Sequence, residues 1–385
     1  MISMVFVVGG CGQMKESDMR NAPEEMPVTQ SGNISEDHSG QGENTQRTGD
    51  SAADGGTVLP EETEVTLTGT IQELERGLTA VKYEGDYGFD DFLSGGGAVS
   101  DQEVMDFLTE NLMAEANTDG LVFESGMFGC STISVKNSGE GYLFGRNFDW
   151  MACDAMIVAA YPENGYSSIS TVNMDFVRSG ASIMSALLPD DVLMLAALYA
   201  PLDGMNEAGL CIAVNMIQDG STIEQNTEKP DITTTTAIRL VLDQASTVEE
   251  ALTLLGQYDL HASMGYMVHF AIADAQGNSV AVEYIENEMN VVETSVLTNF
   301  YLSEGEKQGI GTAQSHTRFE TLERLLEQAS EMDVLQVRTA LDSVSKDNYG
   351  SHESTEWSII FEQDALTAHY YHRENYESGY VVRLR

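Results

Sequence analysis

The pattern of hydrophobic and polar positions divides the chain into a polar leader, a mixed segment and a long strand-rich region. From Gly12 to about residue 60 there is no Phe, Tyr or Trp, and Ser, Gly, Asn, Glu and Asp dominate. Such a stretch buries too little apolar surface to offset the entropy lost on ordering. We therefore expect residues 12–60 to be a disordered acidic tether.

Structured elements are expected to resume after residue 60. Residues 65–75 are typical of a strand that runs into a short polar element. Ser100, followed three residues later by Glu103, matches a capping box. The apolar residues between Met105 and Leu112 predict a helix behind it.

Beyond residue 130 the pattern mainly predicts strands. Residues 132–135 and 142–146 flank a turn at 137–141, which is a hairpin pattern. Further strands are expected at 155–161, 193–199, 210–216, 266–273, 279–284, 357–361, 366–372 and 380–384. Helical spacing occurs at 234–245, 248–256, 318–329 and 334–344. Two strand-rich blocks that enclose a helical block indicate stacked sheets covered by helices, in an α+β fold.

Charge and composition exclude several classes of protein. The chain has 62 acidic and 18 basic residues, a formal charge of −44. This field repels nucleic acid and anionic membranes, so neither is an expected partner. The four cysteines include no CxxC pair, the histidines have no HExxH spacing, and a glycine-rich phosphate loop is missing. We expect no metal and no nucleotide cofactor.

The first residues resemble the end of a bacterial lipoprotein signal. An apolar run leads into Gly9, Gly10 and Cys11, although no basic residue precedes it. Residues 1–11 are then a signal ending at the lipidated Cys11, and the protein is extracytoplasmic, held at the cell surface by this lipid anchor alone. The alternative is a frayed terminus with a chance cysteine.

The candidate chemistry centres on Cys130. Arg146 and Asp149 lie on the strand that follows, so the three side chains could meet at one end of the hairpin. A thiol needs a base, and no histidine is near in sequence. The α-amine of Cys130, with a pKa of about 7.7–8.0, would serve if the preceding bond were cut. Gly129 accepts strained backbone that would favour this cut.

Self-cleavage at Gly129–Cys130 is therefore a specific prediction. It makes residues 61–129 a propeptide segment and residues 130–385 the catalytic domain.

Several motifs together resemble one known family. Residues 130–132 and 143–150 resemble the opening of the choloylglycine hydrolase family, which comprises conjugated bile acid hydrolases and penicillin V acylases within the N-terminal nucleophile hydrolases. Three later stretches agree in order: 205–210 leading to Asn215, 296–299 with Asn299, and 315–319 with Arg318. Residues 1–129 lie outside the resemblance, and so long a prosegment brings the chain nearer to relatives that include acyltransferases and lipid amidases.

The resemblance implies the fold, the assembly and the residue roles. The fold would be a four-layer αββα sandwich and the assembly a homo-oligomer, a tetramer as in related family members. Cys130 would be nucleophile and, through its freed amine, base. Asp149 would hold that amine, and the charge of Arg146 would favour the thiolate. The side chains of Asn215 and Asn299 would face the developing oxyanion, and Arg318 would complete the charge network.

Each assignment has a structural alternative. Cys130 could be a buried structural thiol, as Cys153 and Cys211 are interpreted to be. The arginine and aspartate could form a plain cross-strand ion pair, the two asparagines could be turn residues, and Arg318 could be solvated. Four further side chains could line an acyl pocket or belong to the core: Met151, Met156, Phe176 and Tyr199.

The sequence thus favours hydrolysis of a linear amide C–N bond in a small acylated amino compound such as a conjugated bile acid. Asparagine rather than tyrosine at position 215 favours the bile acid branch. An acyltransferase, an N-acyl lipid amidase or a penicillin V acylase of the same mechanism is the alternative. From other classes, a non-catalytic surface-binding lipoprotein and a cysteine peptidase using His261 or His269 stay open.

Overall fold

The computed structural model describes residues 61–112, 129–180, 189–346 and 353–384. The expected signal segment and the tether lie outside these residues. The described residues all belong to one compact unit, Thr57–Arg385. None of the helices in these ranges is long and apolar enough to cross a bilayer.

Strands occur throughout the described residues, from Glu61 to Arg383. The strands are β1 (Glu61–Glu64), β2 (Gln72–Glu75), β3 (Leu78–Glu84), β4 (Gly129–Asn137), β5 (Tyr142–Trp150), β6 (Ala155–Tyr161), β7 (Ser168–Asn173), β8 (Asp203–Asn206), β9 (Cys211–Met216), β10 (Asp231–Thr233), β11 (Asp259–His261), β12 (Val268–Ala273), β13 (Ser279–Ile285), β14 (Glu288–Glu293), β15 (Val296–Leu297), β16 (Glu331–Met332), β17 (Ser354–Glu362), β18 (Thr367–His372) and β19 (Ser378–Arg383).

The helices are fewer and mostly short. They are α1 (Phe89–Ser94), α2 (Asp101–Phe107), α3 (Met174–Gly180), α4 (Asp190–Leu198), α5 (Thr234–Gln244), α6 (Val248–Leu255), α7 (Ala313–Gln328) and α8 (Val334–Asp342). A π-helical turn, Leu108–Leu112, continues α2.

Most of the described strands lie in two large sheets. The first sheet has the order β1-β19-β18-β17-β5-β4-β15, with β16 also paired to β4. The second has the order β14-β13-β12-β9-β8-β7-β6-β3-β2, and β10 and β11 pair separately. The predicted hairpin is the β4–β5 pair, which lies between β17 and β15 in the first sheet.

Each large sheet has a helix on one face and the other sheet on its opposite face. On β5, a Cβ added to Gly145 would lie 2.8 Å from a side chain of α8, whereas the adjacent Arg146 reaches into the second sheet. On β8, a Cβ added to Gly204 would lie 2.8 Å from a side chain of α5, whereas the adjacent Asp203 pairs with Arg146. The mixed α+β class is confirmed, and these contacts follow the order helix, sheet, sheet, helix.

The segment ahead of Gly129 contributes strands to both sheets. β1 pairs in parallel with β19 at one edge of the first sheet, and β3 pairs in parallel with β6 inside the second. Leu78, Ala80 and Val81 of β3 are fully buried. Residues 61–112 are therefore built into the same core as the residues that follow Gly129.

Two predicted strands differ from the structure. Residues 193–199 lie almost entirely in α4. This run is rich in Leu, Met and Ala, which are strong helix formers, and contains no β-branched residue. A short apolar run does not by itself distinguish a strand from a buried helix, and here helix propensity decides. The strand expected at 65–75 is shortened to β2.

The predicted helix start at Ser100 is confirmed. The Ser100 hydroxyl accepts a hydrogen bond from the Glu103 backbone N–H at 3.3 Å. The Glu103 carboxylate accepts from Val99 N–H at 3.0 Å, one residue before the cap. The helices expected near 234, 248, 318 and 334 are α5, α6, α7 and α8.

Candidate active site

Cys130 is the second residue of β4 and lies opposite Phe148 of β5. The chain is uncut in the structure, so Cys130 is still joined to Gly129. Its backbone N–H donates to Asn299 Oδ1 at 2.7 Å, and its side chain is buried. The thiol faces the second sheet, and the side chain of Arg146 on β5 extends in the same direction.

Arg146 is the charged group nearest to the sulfur among the described hydrogen bonds and ion pairs. Its Nη2 lies 3.9 Å from Cys130 Sγ. The guanidinium is fully buried and donates to two backbone carbonyls, that of Leu202 just before β8 at 2.7 Å and that of Val214 on β9 at 2.8 Å. It also pairs with Asp203. A fixed positive charge at this distance favours the thiolate form of a cysteine.

Asp149 lies on the opposite face of the hairpin, which differs from the expected meeting of all three side chains. Its Oδ1 accepts from the Thr355 hydroxyl at 2.7 Å. Its Oδ2 has no hydrogen-bond partner within the described ranges, and Lys346 Nζ and Arg318 Nη1 lie 3.7 and 3.9 Å away. Burial raises the pKa of Asp149, against the opposing charges of Arg318 and Lys346. An acceptor oxygen is therefore available beside the start of β4.

Gly129 lies directly opposite Asp149 in the strand pair. Its φ is not in the left-handed region, so backbone strain does not explain the glycine. The glycine is explained by the lack of space around it, because a Cβ added here would lie 2.8 Å from Lys346 Cε and 2.9 Å from Asp149 Oδ2. A larger residue before Cys130 would therefore have to displace the ends of these two side chains.

Asn299 and Arg318 complete a hydrogen-bond network around the Cys130 backbone. Asn299 Oδ1 also accepts from Arg318 Nη2 at 2.7 Å, and its Nδ2 donates to the Met216 carbonyl at 2.6 Å. Arg318 Nη1 donates to the Ser131 hydroxyl at 2.7 Å and to the Cys130 carbonyl. Arg318 is thus buried in the site rather than solvated.

Asn215 is placed differently from the other five predicted residues. Its Nδ2 donates to the backbone carbonyls of Leu297 at 3.3 Å and Thr298 at 3.2 Å. The flanking residues Val214 and Met216 line the cavity at Cys130. Because side chains alternate along a strand, Asn215 points away from that cavity. In the uncut chain its carboxamide braces the strand that leads to Asn299.

A small apolar cavity of about 60 Å³ opens at the Cys130 thiol. Phe148, Trp150 and Phe176 form much of its wall. Phe176 also lines a neighbouring cavity of about 70 Å³, whose wall includes Tyr199 and residues of α2. Of the four side chains weighed for an acyl pocket, Phe176 and Tyr199 border these cavities.

The other two do not line them. Met156 is buried in the core on β6, and Met151 is 38% exposed. Cys153 and Cys211 are buried free thiols in the core, as interpreted from the sequence.

Both histidines considered for a peptidase mechanism are engaged elsewhere. His269 Nδ1 contacts Glu283 at 3.2 Å and its Nε2 contacts the Thr298 carbonyl at 2.9 Å. His261 Nε2 contacts Asp231 at 2.8 Å. With both ring nitrogens of His269 occupied, it supports the strand before Asn299 rather than serving Cys130 as a base.

Three residues of the site escaped the sequence analysis: Asp203, Lys346 and Thr355. Asp203 pairs with Arg146, whereas Lys346 and Thr355 contact Asp149. Asp203 lies two residues before the recognised motif that starts at Met205. The available sequence signal for it was a carboxylate within an apolar strand, which indicates a buried charged partner. Nothing local distinguishes the lysine or the threonine.

Comparison with known proteins defines the class. Residues 130–301 match the family model described as linear amide C-N hydrolases, choloylglycine hydrolase family. Over this stretch the chain is a hydrolase that acts on linear amide C–N bonds. This stretch is somewhat less than half of the chain, and over it the resemblance to the choloylglycine hydrolase family inferred from the motifs is confirmed. No curated protein matches the chain.

Solved structures give weaker likenesses. Two variants of conjugated bile acid hydrolase from Clostridium perfringens are 18% and 17% identical to this chain, with TM-scores of 0.47 and 0.48. Each alignment covers 63% of this chain and 89% of the hydrolase chain. Penicillin V acylase from Agrobacterium tumefaciens is 19% identical, with a TM-score of 0.46, covering 63% of this chain and 83% of its own. Such values are too low to indicate a substrate.

Proposed function

We propose that the chain cuts itself between Gly129 and Cys130 and then hydrolyses an acyl amide with Cys130 as its N-terminal nucleophile. The observation that carries this is the position of Cys130: its thiol lies 3.9 Å from the buried Arg146 guanidinium and borders an apolar cavity. The family match also begins at Cys130. An N-terminal nucleophile uses its own amine as base and needs no histidine. This agrees with the contacts of His269, whose two ring nitrogens bind Glu283 and the Thr298 carbonyl.

In the proposed reaction the freed amine of Cys130 accepts the thiol proton and later gives it to the leaving amine. Asp149, whose Oδ2 accepts no hydrogen bond from the described residues, supports that amine as it becomes charged. The thiolate attacks the amide carbon and forms a thioester, which water then hydrolyses. Asn299 contacts the Cys130 backbone through its Oδ1, and its Nδ2, which donates to the Met216 carbonyl before cleavage, supplies an oxyanion donor in the reaction, while Asn215 acts by holding the strand before it.

The acyl part of the substrate is apolar in this proposal. The cavity wall at Cys130 is mainly aromatic and aliphatic, and its hydroxyl-bearing residues are Thr234, Thr235, Ser263 and Tyr266. An apolar wall with few polar groups binds a hydrophobic acyl group and leaves the polar amine portion outside. A conjugated bile acid fits this description, as do the substrates of a penicillin V acylase, an N-acyl lipid amidase or an acyltransferase of the same mechanism.

Two measurements test the proposal. N-terminal sequencing of the purified protein should find a chain that begins with Cys130. A product screen with glycine- and taurine-conjugated bile acids, penicillin V and N-acyl amines should give products that Cys130→Ser abolishes. Cys211→Ser, which also replaces a buried thiol, controls for loss of a cysteine elsewhere. An active chain that retains Gly129 contradicts the proposal.

We also propose that Cys11 carries a lipid that holds the enzyme at the cell surface. The support is the sequence around Cys11 and the polar stretch that follows it. Cys11→Ser should move the protein from the membrane fraction to the soluble fraction. A wild-type protein found wholly in the soluble fraction contradicts the anchor. The tetramer stays a prediction, which sedimentation of the purified protein would test.

A further inference from the structure

Lys346 lies beside the peptide bond that joins Gly129 to Cys130. A Cβ added to Gly129 would lie 2.8 Å from Lys346 Cε and closer still to its Nζ. The lysine side chain is only 6% exposed. Its backbone N–H donates to the Thr355 hydroxyl at 2.8 Å, and its carbonyl accepts from Thr355 N–H at 3.2 Å. The ammonium group is therefore held in contact with the residue before the proposed cut.

Charged and titratable groups from three elements and from the segment ahead of β17 face this lysine. Asp149 on β5, at 3.7 Å, and Glu353 just ahead of β17 are its carboxylate neighbours. Arg318 on α7 and the Cys130 thiol on β4 also act on it. Burial lowers the pKa of Lys346, against the opposing effect of Asp149.

Cleavage creates two charges where the uncut chain has none. The first step forms a bond from Cys130 sulfur to the Gly129 carbonyl carbon and breaks the C–N bond. The thiol proton passes to the Cys130 nitrogen, which leaves a thioester and an amine. Water then adds to the thioester carbon, the C–S bond breaks, and sulfur takes one proton from the water. Gly129 is left with a carboxylic acid, whose proton can charge the amine.

We propose that Lys346 is a positioning residue for this cleavage, fixing the Gly129 side of the bond and pairing with the carboxylate that forms there. The inference rests on the proposed function, because it presupposes the cut. Its physical basis is the contact of a buried cation with the atom next to the new carboxylate, since an opposite charge within a few ångströms favours the ionised form. Asp149, on the strand opposite Gly129, is the corresponding group for the new amine.

The test follows self-cleavage of the full chain after refolding from denaturant, by intact mass at timed intervals. Lys346→Met should slow the cut about a hundredfold or more, the low end of the cost of removing one preorganised donor. Lys346→Arg keeps the charge and should recover most of the rate. Lys136→Met, which also loses a lysine–carboxylate pair and lies on the same strand as Cys130, should cleave at the wild-type rate.

The outcomes separate the inference from the proposed function. A wild-type chain that is never cut contradicts the proposed function itself. A wild-type chain that is cut, beside a folded Lys346→Met chain cut equally fast, overturns only the role of Lys346.

If Lys346→Met does not fold, the pH profile decides. The wild-type cleavage rate should fall at alkaline pH as Lys346 loses its proton, whereas Lys346→Arg stays charged and should lack this fall. The same alkaline fall in Lys346→Arg would overturn the proposal.

Discussion

Replacing Arg146 by methionine removes the charge that lies nearest to the Cys130 sulfur. At 3.9 Å, a unit charge stabilises a thiolate by up to about 4 kcal/mol at an effective dielectric constant of about 20. An energy of that size corresponds to at most about a thousandfold in the rate of attack by the sulfur. The same change leaves Asp203 buried without its cation, which should lower the free energy of unfolding by about 3–5 kcal/mol. Arg146→Met is therefore expected to lose both reactivity and stability.

A double variant separates these two losses. In Arg146→Met/Asp203→Asn, the asparagine can still accept the hydrogen bond that Trp357 Nε1 makes to position 203 at 2.9 Å, but it carries no charge. Most of the lost stability should return, because no unpaired charge is then buried. The reactivity of Cys130 should not return, because the cation is still missing.

Alkylation by iodoacetamide at pH 7, located by peptide mass, measures the reactivity of Cys130. Denaturant unfolding measures the stability of each variant. Arg178→Met, which removes an arginine from a partly exposed ion pair with Asp154, is the control and should alter neither result. A double variant that is alkylated at the wild-type rate would refute the role given to Arg146.

Three further changes have expected outcomes. Gly129→Ala should stop or strongly slow self-cleavage without unfolding the chain, since its methyl group displaces the groups around the bond; cleavage at the wild-type rate, measured by gel, would contradict this. Burial lowers the pKa of His369, but hydrogen bonds to Glu362 and Glu62 outweigh this effect and raise the pKa to about 9. Protonated His369 therefore stabilises the fold fully below about pH 6.5, and this stabilisation is lost as pH rises through 9. The melting temperature of the wild type should fall between these two pH values, and that of His369→Gln should fall less. Phe176→Ala should join the two cavities that its ring borders and raise kcat/KM for long over short N-acyl amines by about tenfold; an unchanged ratio would exclude the pocket assignment.

The sequence predicts the β4–β5 hairpin well because the signal there is local. Alternating side chains and a turn rich in glycine determine β4 and β5 almost without help from the rest of the chain. At 193–199 the local signal is ambiguous, and only packing in the folded protein reveals a helix. The contribution of β1 and β3 to the two sheets is likewise a matter of long-range pairing, which no local pattern records.

The candidate site divides in the same way. Cys130, Arg146 and Asp149 could be proposed from one hairpin, although the face on which each side chain lies required the structure. Motif order located Asn299 and Arg318, whereas it did not show where the carboxamide of Asn215 points. Lys346 and Asp203 reach the site only through helix packing and strand pairing between distant segments, so their local sequence carries little sign of it.

The most direct test of the central claim uses an electrophilic acyl-amide probe on purified, active protein, followed by intact mass and fragment mapping. The account predicts two chains, one of which begins with Cys130 and carries the probe on its sulfur. A probe attached to an uncut chain, or to a thiol other than Cys130, would contradict it.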